Sequence, residues 1–217
     1  MRESTLSDSG YRKFTSDSYE LVLDVGEVGP SYQPGHAHAD TFNFQMHINN
    51  RPVVIDTGTS TYEVNETRFY ERSTRAHNTV TIGDENSSQV WAGHRVAKRA
   101  NVELFKDDTN CIVARHDGYK KKFGVYHTRE VVAEEKIVTI IDDLEGQTGV
   151  AHFHFAPGEY LLEDNQLKGV DFRIVFTNYK SIEKVATYHS PEFNKRVDHI
   201  SLKILFTGKL TTQIFCE

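Results

Sequence analysis

Apolar and polar side chains alternate along most of the chain, which is the period of a half-buried β-strand. The clearest run, Thr41–Ile48, places four apolar side chains on one face and four polar ones on the other. Asn49 and Asn50 then lead into a second apolar run, Pro52–Asp56, as in a tight hairpin. The same reasoning predicts further strands at Tyr19–Val25, Asn78–Ile82, Ala100–Lys106, Cys111–His116, Thr128–Glu134, Ile137–Asp142, Val150–Phe155, Phe172–Thr177, His199–Phe206 and Leu210–Phe215.

Helical patterns are weak by comparison. Residues 66–75 could form a short turn of helix, and Lys120–Lys122 reads as a basic loop between two glycines. Strands and helices do not alternate, which counts against a parallel sheet. We therefore predict an all-β chain with little helix, folded as a large antiparallel β-sandwich of the supersandwich or jelly-roll-like kind. No repeat or Pro-rich linker divides residues 1–217, so we expect one domain.

Composition excludes several classes of protein. The chain has 25 Lys and Arg against 31 Asp and Glu, a net charge of −6, and a pI near 6.0, which argues against a nucleic-acid binder. No stretch approaches the ~18 consecutive apolar residues of a membrane span. Two cysteines are too few for a disulfide scaffold and lack metal-ligand spacing, and we expect Cys111 to be a buried free thiol.

The densest group of chemically useful side chains is His36, His38 and Asp40, just before the first strand of the hairpin. In an extended segment these three would share one face, where they could hold a metal ion, bind a substrate, or simply hydrogen-bond at a strand entrance. The hairpin brings Asp56 near residue 43, so a contact with His38 would need a bulge or bend. With the polar segment around His77, two histidines and one aspartate make a sensible zinc set.

A second His-x-His stands at His152 and His154, with phenylalanines on the opposite face of the strand. It fits either an ordinary two-faced strand or one wall of a substrate cleft. Two basic stretches, residues 94–99 and 120–122, interrupt an otherwise acidic chain. Such stretches are usually solvated, although they could attract an anionic polysaccharide.

Three motifs in order, residues 29–40, 54–59 and 72–79, resemble the heparinase II/III-like domain of polysaccharide lyases. The segment 151–158 is also similar to a later strand of that family. The resemblance implies cleavage of acidic glycans, such as heparan sulfate or alginate, by β-elimination. It further implies an N-terminal helical toroid packed against a C-terminal β-sandwich, with the substrate in the cleft between them.

By motif, the resemblance assigns His38, Asp56 and His77 as ligands of a mainly structural zinc ion. It assigns His36 to the catalytic centre, and makes Arg75 and Asn78 candidates for contact with the substrate carboxylate. The toroid and its catalytic tyrosine are missing from this chain, so we expect a C-terminal part with little activity alone. A periplasmic, cell-envelope or secreted location is also implied.

Two other functions fit the residues. A cupin-like metal enzyme also uses His-x-His with a later carboxylate and histidine, but oxidative chemistry would require iron or manganese. A non-catalytic module for glycan binding or domain packing would show an exposed apolar or aromatic surface. The identity of the metal separates the lyase domain from the cupin.

Overall fold

The computed structural model describes residues 2–3 and 8–217, and these residues form three sheets in which every pairing between named strands is antiparallel. In chain order the strands are β1 (Arg2–Glu3), β2 (Tyr11–Thr15), β3 (Tyr19–Asp24), β4 (Phe44–Ile48), β5 (Arg51–Val54), β6 (Val80–Thr81), β7 (Val90–Trp91), β8 (Arg95–Val96), β9 (Val102–Asp107), β10 (Cys111–His116), β11 (His127–Ala133), β12 (Ile137–His154), β13 (Leu161–Glu163), β14 (Gln166–Gly169), β15 (Phe172–His189) and β16 (Val197–Cys216). The fold class predicted from alternation is confirmed.

The smaller sheet joins β1 to β5 in chain order. Strand β4 begins at Phe44 and not at Thr41, because Thr41 and Phe42 form a turn in which Phe42 has a φ of 69°. The tight hairpin is confirmed. Asn49 and Asn50 both have positive φ, as a type I′ turn requires, and one register shift interrupts the pairing of β4 with β5.

The larger sheet has the order β13-β14-β15-β16-β12-β11-β10-β9, with β6 pairing to β12. Strands β12 and β15 have 18 residues each and β16 has 20. The predicted breaks near residues 143–149 and 207–209 are therefore wrong, since both lie inside continuous strands. At the first, Glu145 and Gly146 have positive φ within a bulge between Asp143 and Thr148. A bulge interrupts the alternation of side chains just as a turn does.

The core lies between the two sheets. Phe44 of β4 packs edge-on against Phe153 of β12, with 5.9 Å between ring centroids, and Phe153 contacts Phe176 of β15 at 5.4 Å. All three side chains are buried, and so are the free cysteines Cys111 and Cys216. One hydrophobic cluster therefore spans both sheets.

The helices of the described residues are short: α1 (Glu66–Glu71), a 3-10 helix (Thr74–Ala76) and α2 (Lys120–Phe123). The predicted helical turn is confirmed in α1, which Asn65 caps through its side chain. The loop predicted at Lys120–Lys122 is instead a helical turn that ends at Gly124, whose φ is 78°. Within the described residues, no helix is long and apolar enough to cross a membrane.

Candidate functional site

The loop between β3 and β4 carries the first histidine cluster, and it is folded into turns. His36 has a φ of 72°. The prediction of an extended segment with His36, His38 and Asp40 on one face is therefore wrong for His36, although His38 and Asp40 do lie close together. The turns expose His36 and direct His38 inward, where it is half-buried.

Arg72 fixes this loop against the β7–β8 hairpin. Its guanidinium donates to the carbonyl of Ala37 at 2.8 Å and 3.3 Å. It also donates to three hairpin carbonyls, those of Trp91, Ala92 and Arg95. Because Arg72 is itself buried, these charged hydrogen bonds form away from water, where they hold the loop firmly.

His38, Asp40 and His77 form the cluster that the fold brings together. One potential ligand atom from each lies within 4.8 Å of the others, and the rings of His38 and His77 are 5.3 Å apart. Imidazole nitrogens and carboxylate oxygens are the ligands that zinc uses, at about 2.0–2.2 Å. Small side-chain movements would therefore let these atoms converge on one ion.

Asp56 lies beside this cluster and orients His77. Its Oδ2 is 2.7 Å from Nδ1 of His77 and also accepts from Asn43 Nδ2, while its Oδ1 accepts from the backbone N–H of Gly58. Burial alone would raise the pKa of Asp56, but the attraction of His77 and their hydrogen bond lower it overall. Burial would likewise lower the pKa of His77, and Asp56 raises it overall. This pair favours a positive charge on the ring.

The remaining nitrogen of His77, Nε2, is buried and has no hydrogen-bond partner in the described part of the chain. A buried nitrogen without a partner is costly, and a metal ion would satisfy it. A carboxylate bonded to the other nitrogen of a ligating histidine is the usual arrangement around protein metals.

His38 is kept neutral. Burial, together with the charges of His77 and Arg68, lowers the pKa of His38 to about 3. Its Nε2 lies 3.3 Å from an N–H of Arg68, so this nitrogen accepts a hydrogen bond. An ion bound there would replace Arg68 as the partner of the lone pair.

A cavity of about 700 Å³ reaches His38 and Asp40 from the side of the smaller sheet. Asp24 also lines this cavity, and burial together with the charge of Asp40 raises the pKa of Asp24 to about 7. Burial likewise raises the pKa of Asp40. The cavity gives a small cation a route to the cluster past acidic groups.

His36 lies on the outside of the loop, among aromatic side chains. Its ring meets Tyr62 edge-on at 5.3 Å and lies 5.9 Å from His94. Tyr62 in turn stacks on Phe193 at 5.3 Å, and it is 57% exposed. An exposed imidazole next to a tyrosine can exchange protons with a bound molecule, and the aromatic rings give a sugar a surface to lie on.

Arg75 and Asn78 have different surroundings. Arg75 is exposed, with its guanidinium 5.5 Å above the ring of Tyr70. Asn78 is fully buried, and its amide donates to the carbonyls of Phe44 and Ile55, each at 2.8 Å, and accepts from the backbone N–H of His154. A direct contact between Asn78 and substrate would require this network to open, whereas Arg75 is free to make one.

A buried network of charged side chains, which the sequence did not predict, lies next to the site. Arg129 pairs with Asp142 at 2.8 Å and 2.9 Å, and donates to the carbonyls of Phe42 and Asn78. His127 also bonds to Asp142, at 2.7 Å. Arg129 therefore connects the larger sheet to the backbone at Phe42, just after the His36–Asp40 loop, and at Asn78, just after His77. No local motif marks it, because its partners are distant in sequence.

Comparison with known proteins identifies similar sequences. A family model described as "Heparinase II/III-like, C-terminal" matches residues 2–214. A heparin-sulfate lyase of Bacteroides stercoris is 27% identical over 147 residues, which is 64% of this chain and 20% of that protein.

Solved structures share the fold. A heparinase III gene product superposes with a TM-score of 0.79 at 20% identity, over 99% of this chain and 35% of that one. The heparan sulfate lyase HepC from Pedobacter heparinus superposes with a TM-score of 0.78 at 18% identity, over 99% of this chain and 36% of that one. The chain thus spans about a third of these structures and a fifth of the curated relative.

Proposed function

Because the chain belongs to the heparinase II/III-like, C-terminal family, we propose that it is the β-sandwich part of a polysaccharide lyase. It would contribute to the β-elimination of an acidic polysaccharide that contains uronic acid. The observation that carries this proposal is the exposed His36 beside Tyr62, on a loop that Arg72 immobilises. The similarity to a heparin-sulfate lyase favours a heparin-type glycosaminoglycan over alginate.

The reaction removes the C5 proton of a uronate, breaks the bond between C4 and the bridging oxygen, and leaves a C4–C5 double bond. The leaving oxygen takes up a proton. In our proposal His36 lies against the uronate, where it either accepts the C5 proton or donates a hydrogen bond to the carboxylate as negative charge builds up there. A helical domain outside this chain would supply the tyrosine that completes the proton transfer, so the isolated chain would have little activity.

Replacing His36 by alanine in the complete lyase should lower kcat/KM at least about 100-fold, because a positioned acid or base contributes about that much. The melting temperature should stay unchanged, since His36 is exposed. Formation of the unsaturated product, followed by its ultraviolet absorbance, measures the effect. His47→Ala, at an exposed position on β4, is the matched control and should keep full activity. An active His36→Ala enzyme would contradict the proposal.

We also propose that the cluster binds a structural zinc ion. His38 and His77 would be ligands, with Asp56 as the carboxylate assigned by resemblance. Asp40 is a second available carboxylate, since it lies within the 4.8 Å cluster. The neutral His38 and the unpartnered Nε2 of His77 fit this role. When bound, the ion would join the His36–Asp40 loop to the segment around His77.

Metal removal should therefore destabilise the chain. At a free zinc concentration 100 times the Kd, bound metal adds about 2.7 kcal/mol, so a chelator should lower the melting temperature by roughly 5–10 °C. His77→Ala and His38→Ala should lose both the metal, measured by elemental analysis, and this response. His94→Ala, at an exposed histidine outside the cluster, should keep both. Asp40→Asn and Asp56→Asn, compared for zinc affinity, identify the carboxylate. Stoichiometric iron or manganese would instead favour the cupin-like enzyme.

A further inference from the structure

The second His-x-His lies on the face of β12 that is turned away from the core. Phe153 is fully buried between the sheets, so His152 and His154 project from the other face. His154 Nε2 donates to the carbonyl of Arg75 at 3.1 Å, and His152 Nε2 lies 2.9 Å from the hydroxyl of Thr81. Both imidazoles are buried beneath the segment that carries Arg75.

Strand pairing adds a second cation to this face. Lys203 of β16 lies directly opposite His152, and Ser201 lies opposite His154. Directly opposed residues of antiparallel strands have adjacent side chains on one face. The 3-10 helix brings Arg75 above the same place, next to Tyr70.

These side chains line a partly open cavity of about 130 Å³. Its lining consists of cationic, imidazole, hydroxyl and small apolar groups, namely Tyr70, Arg75, His152, His154, Val185, Ala186, Thr187, Ser201 and Lys203. None of the described carboxylates lines it. This volume is enough for one sulfate or carboxylate group.

Both cations lack a counter-ion among the described residues. In the described part of the chain, neither Arg75 nor Lys203 makes an ion pair. Glu183 lies opposite Lys203 on β15, yet it does not pair with Lys203 or line the cavity. A guanidinium and an ammonium around hydroxyl donors, without a carboxylate, are what an oxyanion requires.

We propose that this pocket binds a sulfate or carboxylate group of an acidic glycan, at a subsite separate from His36. That the oxyanion belongs to a glycan rests on the proposed function. That the pocket prefers an oxyanion is independent of it. Free inorganic sulfate offers the same chemistry.

The test is binding of a heparin-derived tetrasaccharide to the purified chain, measured by calorimetry. The double variant Arg75→Gln/Lys203→Gln should bind at least tenfold more weakly than the unaltered chain. Lys180→Gln is the matched control, because Lys180 is exposed on the neighbouring strand β15 and does not line the cavity. It should change the affinity less than twofold. Inorganic sulfate should compete with the tetrasaccharide on the unaltered chain, and equal melting curves would show that each variant is folded.

Equal losses of affinity in the double variant and in Lys180→Gln would overturn the proposal, because binding would then depend on the overall positive charge and not on this pocket. Unchanged binding in the double variant would overturn it as well. Binding of inorganic sulfate without the tetrasaccharide would overturn the glycan as ligand while supporting an oxyanion pocket. Each result is independent of turnover, so the effect of His36→Ala on the complete lyase tests the proposed function separately.

Discussion

Replacing Arg129 by methionine should destabilise the folded chain by about 3–5 kcal/mol, the usual cost of removing one partner of a buried ion pair. Asp142 would keep its charge with only His127 as a partner, in a position that no water reaches. The carbonyls of Phe42 and Asn78 would also lose a donor. Urea denaturation monitored by circular dichroism measures the change.

Arg115 offers a matched control within the same sheet. It pairs with Glu103 at 2.7 Å, but both side chains are partly or largely exposed. Arg115→Met should therefore cost no more than about 1 kcal/mol. Similar losses of unfolding free energy in the two variants would show that burial does not determine how much the Arg129–Asp142 pair stabilises the fold. The double variant Arg129→Met/Asp142→Asn should recover part of the loss, because it leaves no unpaired charge.

Lowering the pH from 6.5 to 5 should also destabilise the chain strongly, because several buried histidines are neutral in the fold. Burial and the nearby Lys203 lower the pKa of His152 to about 3, and burial with His189 lowers that of His199 to about 4. Burial places the pKa values of His116 and His154 well below 6.5. The unfolded chain binds protons near pH 6.5 and the folded chain does not. Stability is therefore complete above pH 6.5 and falls towards pH 4.

Each pH unit below 6.5 costs about 1.4 kcal/mol for such a group, so His152 alone contributes about 2 kcal/mol at pH 5. Asp24 acts in the opposite direction. Because the pKa of Asp24 is about 7 in the fold, the folded chain takes up this proton at a higher pH than the unfolded chain does. The resulting gain in stability offsets the loss from about one histidine. Asp40, whose pKa burial also raises, offsets a further part of the loss. From the remaining buried histidines we expect a net loss on the order of 4 kcal/mol at pH 5, a large part of the 5–15 kcal/mol typical of a folded protein.

The slope of unfolding free energy against pH counts the protons taken up on unfolding, and urea denaturation at several pH values measures it. We expect about two protons or more between pH 5 and 6. His152→Gln should reduce the slope by about one proton, whatever its effect on stability at pH 7. His47→Gln, at an exposed position, should leave the slope unchanged. A slope below one proton would show that these histidines are protonated in the fold.

The sequence predicted the sheet content and the hairpin well, because both depend on local patterns. Alternation fixes which face of a strand is buried, and Asn49-Asn50 is a strong turn signal. The prediction failed where one sequence pattern can arise from two different structures. The bulge of β12 at Glu145 and Gly146 interrupts alternation as a turn would, so one bent strand was predicted as two.

The candidate site was predicted through its motifs and not through its geometry. His38 and His77 do lie together, and Asp56 does contact His77. Asp40 lies close to His38, as the expectation of a shared face implied, whereas the turn at His36 separates His36 from them. Arg129 and the cavity under Arg75 could not be predicted, because each depends on long-range strand pairing. The ligand set and the role of His36 stay predictions.

The hydrogen bonds of Arg72 have a consequence for protein engineering. One guanidinium holds carbonyls of the His36 loop and of the β7–β8 hairpin, so the two segments act as a single transferable part. Grafting the loop alone onto a related sandwich would leave the carbonyl of Ala37 without its hydrogen-bond donor, and His36 would no longer be held in place. A successful transplant must carry the loop, Arg72 and the hairpin together.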